Sequence, residues 1–410
     1  MRKLKKTVAV VSTLDTKAAE TYYLREQIER RGCRTLVIDL GTRGEARFPA
    51  DVTREEIFAL GNRGVAVSVV EDRVRLGEIM TDGAATKIKE LYACGQIHAA
   101  IGLGGATNSL METNIMRVLP FGVPKLMVSS VAASRGLASR YFGTADISIM
   151  HSVVDFTGLN VLTKDVLERA AGSITGMINV PEREAGLIAD KNLIAITQLS
   201  LCERTAAFVR ERLQEEGFQV IGFSATGVAD KAMEELIERE SLFRAVIDLA
   251  PGGVGENILG GTRSAGPNRL EVAGKNGVPQ IIAPCGVNLM TPPRSKYKPE
   301  YYRRPKYDLD PLRTFLRLSS NELITVAQAM AQKLNMAIGP VKVLIPLRGW
   351  ASFDMEGCAI YDPESDRIFT KEFRHRVNRN IEIVEVDANI DEPEFGAAVV
   401  QAFHDVMEYT

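Results

Sequence analysis

The segment Gly102-Leu103-Gly104-Gly105-Ala106-Thr107-Asn108 has the residue types needed to hold an anion. Glycines let backbone N–H groups approach a ligand closely, and the N-terminus of a following helix adds about half a positive charge. A phosphate is the expected guest, cradled by Gly102, Gly104, Gly105 and Thr107. The dinucleotide spacing G-x-G-x-x-G is not met, because Thr107 stands where the third glycine would be, and no G-x-x-x-x-G-K-[ST] sequence occurs. The same glycines would also serve a tight strand-to-helix turn with no ligand. In Ser12-Thr13-Leu14-Asp15-Thr16-Lys17, Lys17 offers a point charge to phosphate oxygens, while Asp15 either approaches magnesium or, with Thr16, caps a helix. Ser129 and Ser130 would line the floor of the site, and Asp146, in Gly143-Thr144-Ala145-Asp146, is a second magnesium candidate.

A second set lies further along the chain. Asp248-Leu249-Ala250-Pro251-Gly252-Gly253-Val254-Gly255-Glu256 is another glycine-rich stretch, with Asp248 and Glu256 as magnesium or general-base candidates and ordinary capping as the alternative. Gly252, Gly253, Glu256 and Arg348 are the expected contacts for a small polar substrate. Cys285 follows an apolar run and precedes Gly286, a place for an exposed nucleophile, but no histidine can be assigned as its base. His98, His151, His375 and His404 form no H-E-x-x-H or other metal pair, and G-x-S-x-G is absent, which disfavours zinc and serine-triad chemistry.

The elements that must position these residues occur twice. The run from Val8 to Gly41 is echoed by that from Leu193 to Gly227, with helix-ending glycines Gly32 and Gly217 in register. His98 to Gly105 answers Arg244 to Gly253, and Phe121 to Ser130 answers Asn276 to Cys285. Each copy alternates short β-rich runs with helices of three-to-four apolar spacing, which predicts parallel sheets covered on both faces. The expected fold is α/β: two Rossmann-like doubly wound domains related by internal duplication, over residues 1–184 and 185–410, with Val180 to Gly186 as linker. Ligands in such sheets bind beyond the carboxyl ends of strands, where strand order reverses. The stretch Gly41 to Glu78 is an addition to the first copy, and Pro292 to Tyr307, rich in Pro, Tyr and basic residues, is a long loop in the second. A helix over Ser319 to Asn335, a buried strand over Val341 to Pro346, a strand over Ile381 to Val386 and a helix over Pro393 to Tyr409 complete the chain.

Composition bounds the function. Of 410 residues 45% are hydrophobic and 25% charged, which excludes disordered and fibrous classes. Lys+Arg 50 against Asp+Glu 52 gives no global field to steer the chain to nucleic acid or to an anionic membrane. Five cysteines without C-x-x-C argue against a disulfide framework and a zinc site and fit a cytoplasmic setting. The apolar run Val8 to Val11 is too short for a signal segment, and no 18-residue apolar run exists to span a bilayer.

In their order over both halves, Ser12 to Lys17, Gly102 to Gly105, Val123-Pro124-Lys125, Gly143 to Ile147 and Ser152 to Asp155 resemble the family of the tomato mosaic virus resistance protein. Ala225-Thr226-Gly227, Ser264-Ala265-Gly266-Pro267 and Arg348 to Asp354 extend that resemblance. It implies two Rossmann-like domains and ATP binding; the plant member acts by binding a viral replication protein. Where the family continues Gly-Gly-Ser-Gly-Gly-Thr, this chain has Gly104-Gly105-Ala106-Thr107-Asn108-Ser109. The leading expectation is a cytoplasmic ATP-binding protein, with magnesium, a ligand cleft between its two domains and self-association as a homodimer. Two alternatives stand beside it. One is an enzyme acting on a small carboxylate or phosphorylated metabolite without ATP; the other is a non-catalytic dimeric interaction protein using the Pro292 to Tyr307 loop.

Overall fold

The computed structural model describes residues 5–62, 72–134, 136, 138–180, 192–311 and 313–408. The chain divides into two compact units, Met1–Glu182 and Arg183–Thr410. Beyond Val180, the expected linker lies outside the described residues.

The first unit runs β1 (Thr7–Ser12), α1 (Ala18–Arg30), β2 (Arg34–Asp39), α2 (Arg54–Gly61), α3 (Arg73–Ala93), β3 (Ala99–Gly104), α4 (Ala106–Met116), β4 (Lys125–Ser129), α5 (Ala138–Phe142), β5 (Ser148–His151) and α6 (Val161–Ile178). Among the described residues its strands form one sheet in the order β2-β1-β3-β4-β5, with every pairing parallel. Strands β1, β3 and β4 are buried at every position, which is why they read as near-continuous apolar runs rather than as alternation. Val8, Val10 and Leu103 pack with Leu24 of α1 and Leu167 of α6 on one face. On the other, Ala9, Val11 and Met127 pack with Ile57, Met80 and Ile115 of α2, α3 and α4.

The second unit runs β6 (Leu193–Gln198), α7 (Glu203–Glu215), β7 (Gln219–Ser224), α8 (Ala229–Glu240), β8 (Ala245–Asp248), α9 (Gly253–Leu259), α10 (Val272–Lys275) and β9 (Gln280–Ile282). It continues with β10 (Leu289–Met290), β11 (Lys306–Asp310), β12 (Arg313–Arg317), α11 (Ser320–Leu334), β13 (Val341–Pro346), α12 (Pro363–Arg376), β14 (Glu382–Val386) and α13 (Pro393–Met407). Its main sheet is parallel in the order β14-β13-β9-β8-β6-β7. The run β7-β6-β8-β9 repeats β2-β1-β3-β4, so the duplication read in the residues is a duplication of topology, and the chain is two Rossmann-like α/β folds.

Two expectations are corrected. Pro292 to Tyr307 is not simply a loop: two 3-10 turns lead into β11, which joins β12 and β10 in a small antiparallel sheet. Tyr301 is buried there, and Arg304 pairs with Glu322 of α11 at 2.6 Å. Tyr301 and Arg304 therefore anchor the segment, while Tyr302 stays exposed. Secondly, Gly143 to Asp146 does not follow a strand. It follows the short helix α5 and precedes β5, which places it at the amino edge of the sheet. Among the described residues, no helix is long and apolar enough to cross a membrane.

Candidate functional site

In the first sheet the chain leaves β1 toward β2 on one side and returns to β3 on the other, so strand order reverses between β1 and β3. In open parallel sheets such a reversal is where a crevice forms at the carboxyl edge. Thr13 to Lys17 lies on one side of it and Gly102 to Thr107 on the other.

The β3 turn is shaped by what stands behind it. A Cβ on Gly104 would meet the Asn108 Cβ at 2.5 Å, and one on Gly102 would meet the Glu112 Oε2 at 2.3 Å. Glycine is therefore required at both places by the side chains of α4. Helix α4 begins at Ala106 with Gly105 as N-cap and no side-chain cap, and Ala106 and Thr107 are exposed. Its first backbone donors thus face the crevice without an internal acceptor from a capping side chain.

A chain of polar contacts crosses the crevice. Thr16 Oγ1 and Thr13 Oγ1 are 2.9 Å apart. Asn108 Nδ2 donates to Thr13 Oγ1 at 2.9 Å and to Glu112 Oε1 at 3.2 Å. Glu112 is fully buried, and its Oε2 completes no hydrogen bond among the described residues. Burial pushes this carboxyl well above the ordinary carboxylate range, only partly offset by Asn108 and the Leu103 backbone.

The remaining expected residues divide. Lys17 reaches across to the Phe156 carbonyl, in the turn after β5. Ser130 Oγ donates to Asp155 Oδ1 at 3.2 Å and stands 3.8 Å from a Cβ built on Gly105. Gly105, Ser130, Asp155, Phe156 and Lys17 thereby border one patch of the carboxyl edge. Ser129 is buried and accepts from Ser109 Oγ at 2.7 Å, so it holds α4 against β4 beneath that patch.

Asp15 does not cap α1, whose N-cap is Lys17. Its Oδ2 instead accepts the backbone N–H groups of Thr42, Arg43 and Gly44 at 2.9, 2.7 and 3.3 Å, tying down the turn after β2. Asp146 is not brought to the site. Its carboxylate accepts from the buried Lys125 at 2.7 Å and from Gly122 N at 2.8 Å, at the start of β4 and so roughly 13 Å from the strand's other end at about 3.3 Å per residue. The magnesium pair of Asp15 and Asp146 is therefore separated by the length of a strand. Among the described residues no group of three or more His, Cys, Asp or Glu side chains is placed to hold a metal.

In the second unit the equivalent reversal lies between β6 and β8. Asp248, at the end of β8, takes Arg269 in a two-pronged ion pair at 2.5 and 2.7 Å and Thr197 Oγ1 at 2.6 Å. Arg269 also reaches Glu234 at 3.1 Å and Asp230 at 3.4 Å, and all four side chains are buried. Gly252, Gly253 and Glu256 are buried too. Glu256 Oε1 accepts from Arg263 Nε at 2.9 Å and from Thr291 N and Oγ1, both at 2.8 Å. Arg348 is half-exposed and pairs with Glu392 at 3.0 Å and with the Asp387 carbonyl at 2.7 Å, not with this group.

Cys285 is fully buried, and burial together with the neighbouring Cys202 thiol pushes it well above the usual thiol range. That is the reverse of an activated thiolate, so the nucleophile expectation is withdrawn.

Reasoning from residue types alone missed Glu112 and Asp155 beside these turns. The signal for Glu112 was its spacing of four from Asn108 on one helix face.

The geometry can be set beside known proteins. Residues 6–183 match the model of the uncharacterised protein family UPF0261 N-terminal domain, and residues 191–407 that of its C-terminal domain. A UPF0261 protein of Clostridium tetani is 32% identical over 99% of this chain and 100% of its own length. One from Brucella melitensis is 31% identical over 97% of this chain and 94% of its own. The tomato ToMV resistance protein Tm-1(GCR237) is 28% identical over 75% of this chain and 41% of its own. A solved UDP-N-acetylglucosamine 2-epimerase aligns over 92% of this chain and 99% of that one at 10% identity with a TM-score of 0.24, too low to carry anything over. Both halves match in order and the full-length relatives are aligned end to end: the chain belongs to the uncharacterised protein family UPF0261.

Proposed function

We propose that this is an ATP-binding protein whose nucleotide phosphates lie at the carboxyl edge of the first unit's sheet, between the β1 and β3 turns. The observation that carries the reading is the exposed, uncapped N-terminus of α4 placed at the strand-order reversal, behind a turn in which glycine is required. The backbone of Gly105, Ala106 and Thr107 would donate to phosphate oxygens, and Lys17 would offset their charge after exchanging the Phe156 carbonyl for a phosphate. Ser130 would add a hydroxyl donor.

The donor set does not favour a protein-held metal: Asp15 is engaged by three N–H groups and Asp146 is at the other edge. Any magnesium would arrive on the phosphates and keep water in its remaining positions. No reaction is assigned.

Thermal unfolding with and without Mg·ATP tests the reading, since a ligand at about 100 times its dissociation constant stabilises by about 2.7 kcal/mol. A shift that Lys17→Ala weakens about tenfold in apparent affinity is expected. Equal affinity in Lys17→Ala, or no shift with any nucleotide, would sink the proposal.

A further inference from the structure

Beside the phosphate turn, the segment between β2 and α2 folds over the carboxyl end of β2 and encloses a cleft of about 340 Å³. That volume falls at the lower end of the range for small-ligand sites, about 300–1,000 Å³. Among its lining residues are Asp39, Arg47, Phe48, Thr53 and Arg54.

Their chemistry is not that of a random surface hollow. Asp39 is 1% exposed. Its Oδ1 accepts Leu14 N at 2.9 Å and Gly41 N at 2.8 Å, while among the described residues no donor reaches Oδ2. An acceptor oxygen is thereby left on a buried carboxylate that lines an open cleft. Phe48 has one ring face stacked on Tyr22 at 4.6 Å, itself under Arg25, yet stays 38% exposed. Arg54 is engaged by Glu55 at 2.8 Å, whereas the Arg47 guanidinium makes no ion pair or hydrogen bond among the described residues.

We infer that this cleft holds the nucleoside end of a purine ribonucleotide, with the ribose hydroxyls donating to Asp39 Oδ2 and the base stacked on the open face of Phe48. The inference rests on the phosphate reading above for its ligand and adds where the rest of that ligand goes. Position supports it. Strands β2, β1 and β3 are neighbours, so the Asp39 end and the Gly104 end lie two strand spacings apart, about 10 Å at about 4.8 Å each. An extended nucleoside triphosphate bridges a gap of that size. Charge supports it as well: a free diol suits a carboxylate partner, a further phosphate on the ribose does not, and Arg47 is available for the α-phosphate. The Leu14 N–H to Asp39 bond couples the two subsites directly, because Leu14 belongs to the Thr13 to Lys17 turn.

The test is calorimetric titration of the full chain with ATP, 2′-deoxyATP, adenosine and inorganic tripolyphosphate, in the native protein, Phe48→Ala and Asp39→Asn. Loss of base stacking is expected to weaken ATP and adenosine about tenfold in Phe48→Ala while leaving tripolyphosphate unchanged. In the native protein 2′-deoxyATP should bind about tenfold more weakly than ATP, a comparison that holds even if Asp39→Asn fails to fold. If that variant folds, the difference should vanish in it. Equal binding of ATP to the native protein and Phe48→Ala, with 2′-deoxyATP no weaker, would overturn the nucleoside cleft and leave the phosphate reading standing. Phe48-dependent adenosine binding without any tripolyphosphate or ATP binding would do the opposite. No binding of any of the four overturns both.

Discussion

The two strand-order reversals of this chain have the same topology and opposite interiors. Between β1 and β3, polar groups are aligned across the crevice but end in exposed donors at the start of α4. Between β6 and β8, the strand-end carboxylate of Asp248 is neutralised by Arg269, which also serves Asp230 and Glu234, and the glycine turn that follows is buried. One copy presents exposed donors at a helix start, whereas the other engages its strand-end carboxylate in a buried ion-pair cluster. A duplicated scaffold can thus keep its layers while one crevice becomes structural, because a buried charge cluster is stable only when its partners are complete.

Removing the counter-charge should break the second copy hardest. Arg269→Met leaves three carboxylates buried around an apolar side chain and is expected to lower the unfolding free energy by about 3–5 kcal/mol in urea titration. A loss under about 1 kcal/mol would mean that the second crevice is not sealed by charge, and the contrast would fail.

In the first copy the bridging group is a neutral amide. Asn108→Ala strips Glu112 Oε1 and Thr13 Oγ1 of their shared donor, and an expected cost of about 1–3 kcal/mol follows from leaving buried acceptors unmet. Thr107→Ala, one residue away and exposed, should stay within about 0.5 kcal/mol. Equal effects of the two would show that the polar chain does not hold the crevice.

Titration sharpens the comparison further. Glu112 has its folded pKa raised above the unfolded value, so its stabilising protonation is complete below the usual carboxylate range and is lost as pH rises through the folded value. In the second unit Asp366, buried beside Asp354 and Arg317, is pushed up to about 7 by burial and by the Asp354 charge, with Arg317 opposing. Its contribution fades between about pH 4 and about 7. Each site contributes at most about 1.4 kcal/mol per pH unit of falling stability. Glu112→Gln and Asp366→Asn should each remove their share of that slope from unfolding measured across pH 5 to 8. A slope unchanged in Asp366→Asn would show its carboxyl already ionised in the folded protein.

A small effect is also expected at Arg348. Its ion pairs with Asp387 and Glu392 are solvent-screened, so Arg348→Ala should cost under about 1 kcal/mol. A larger loss, or a change in the binding of any ligand, would restore it as a site residue.

Much of this was legible before any coordinates. Fully buried parallel strands read as apolar runs, helix-ending glycines set the register of the two copies, and the echo of His98 to Gly105 in Arg244 to Gly253 located both crevices. Gly102 and Gly104 were singled out because glycine has a recognisable use there. The errors have local causes. Asp146 was assigned to the wrong edge because Ala138 to Phe142 is a helix too short to show periodicity, so the turn behind it passed for a strand-to-helix turn. Glu256 looked like a free carboxylate because its partners, Arg263 and Thr291, come from 7 and 35 residues away.

Taken alone, the order of residues determined the fold class, the duplication and the two turns where strand order reverses, since periodicity and punctuation are local properties that backbone sterics and burial translate directly. Which crevice stays open was decided only by tertiary structure. That choice depends on whether a distant side chain such as Arg269 arrives to neutralise a strand-end carboxylate, and on whether Glu112 comes to lie beneath Gly102, which are matters of three-dimensional approach rather than of spacing along the chain.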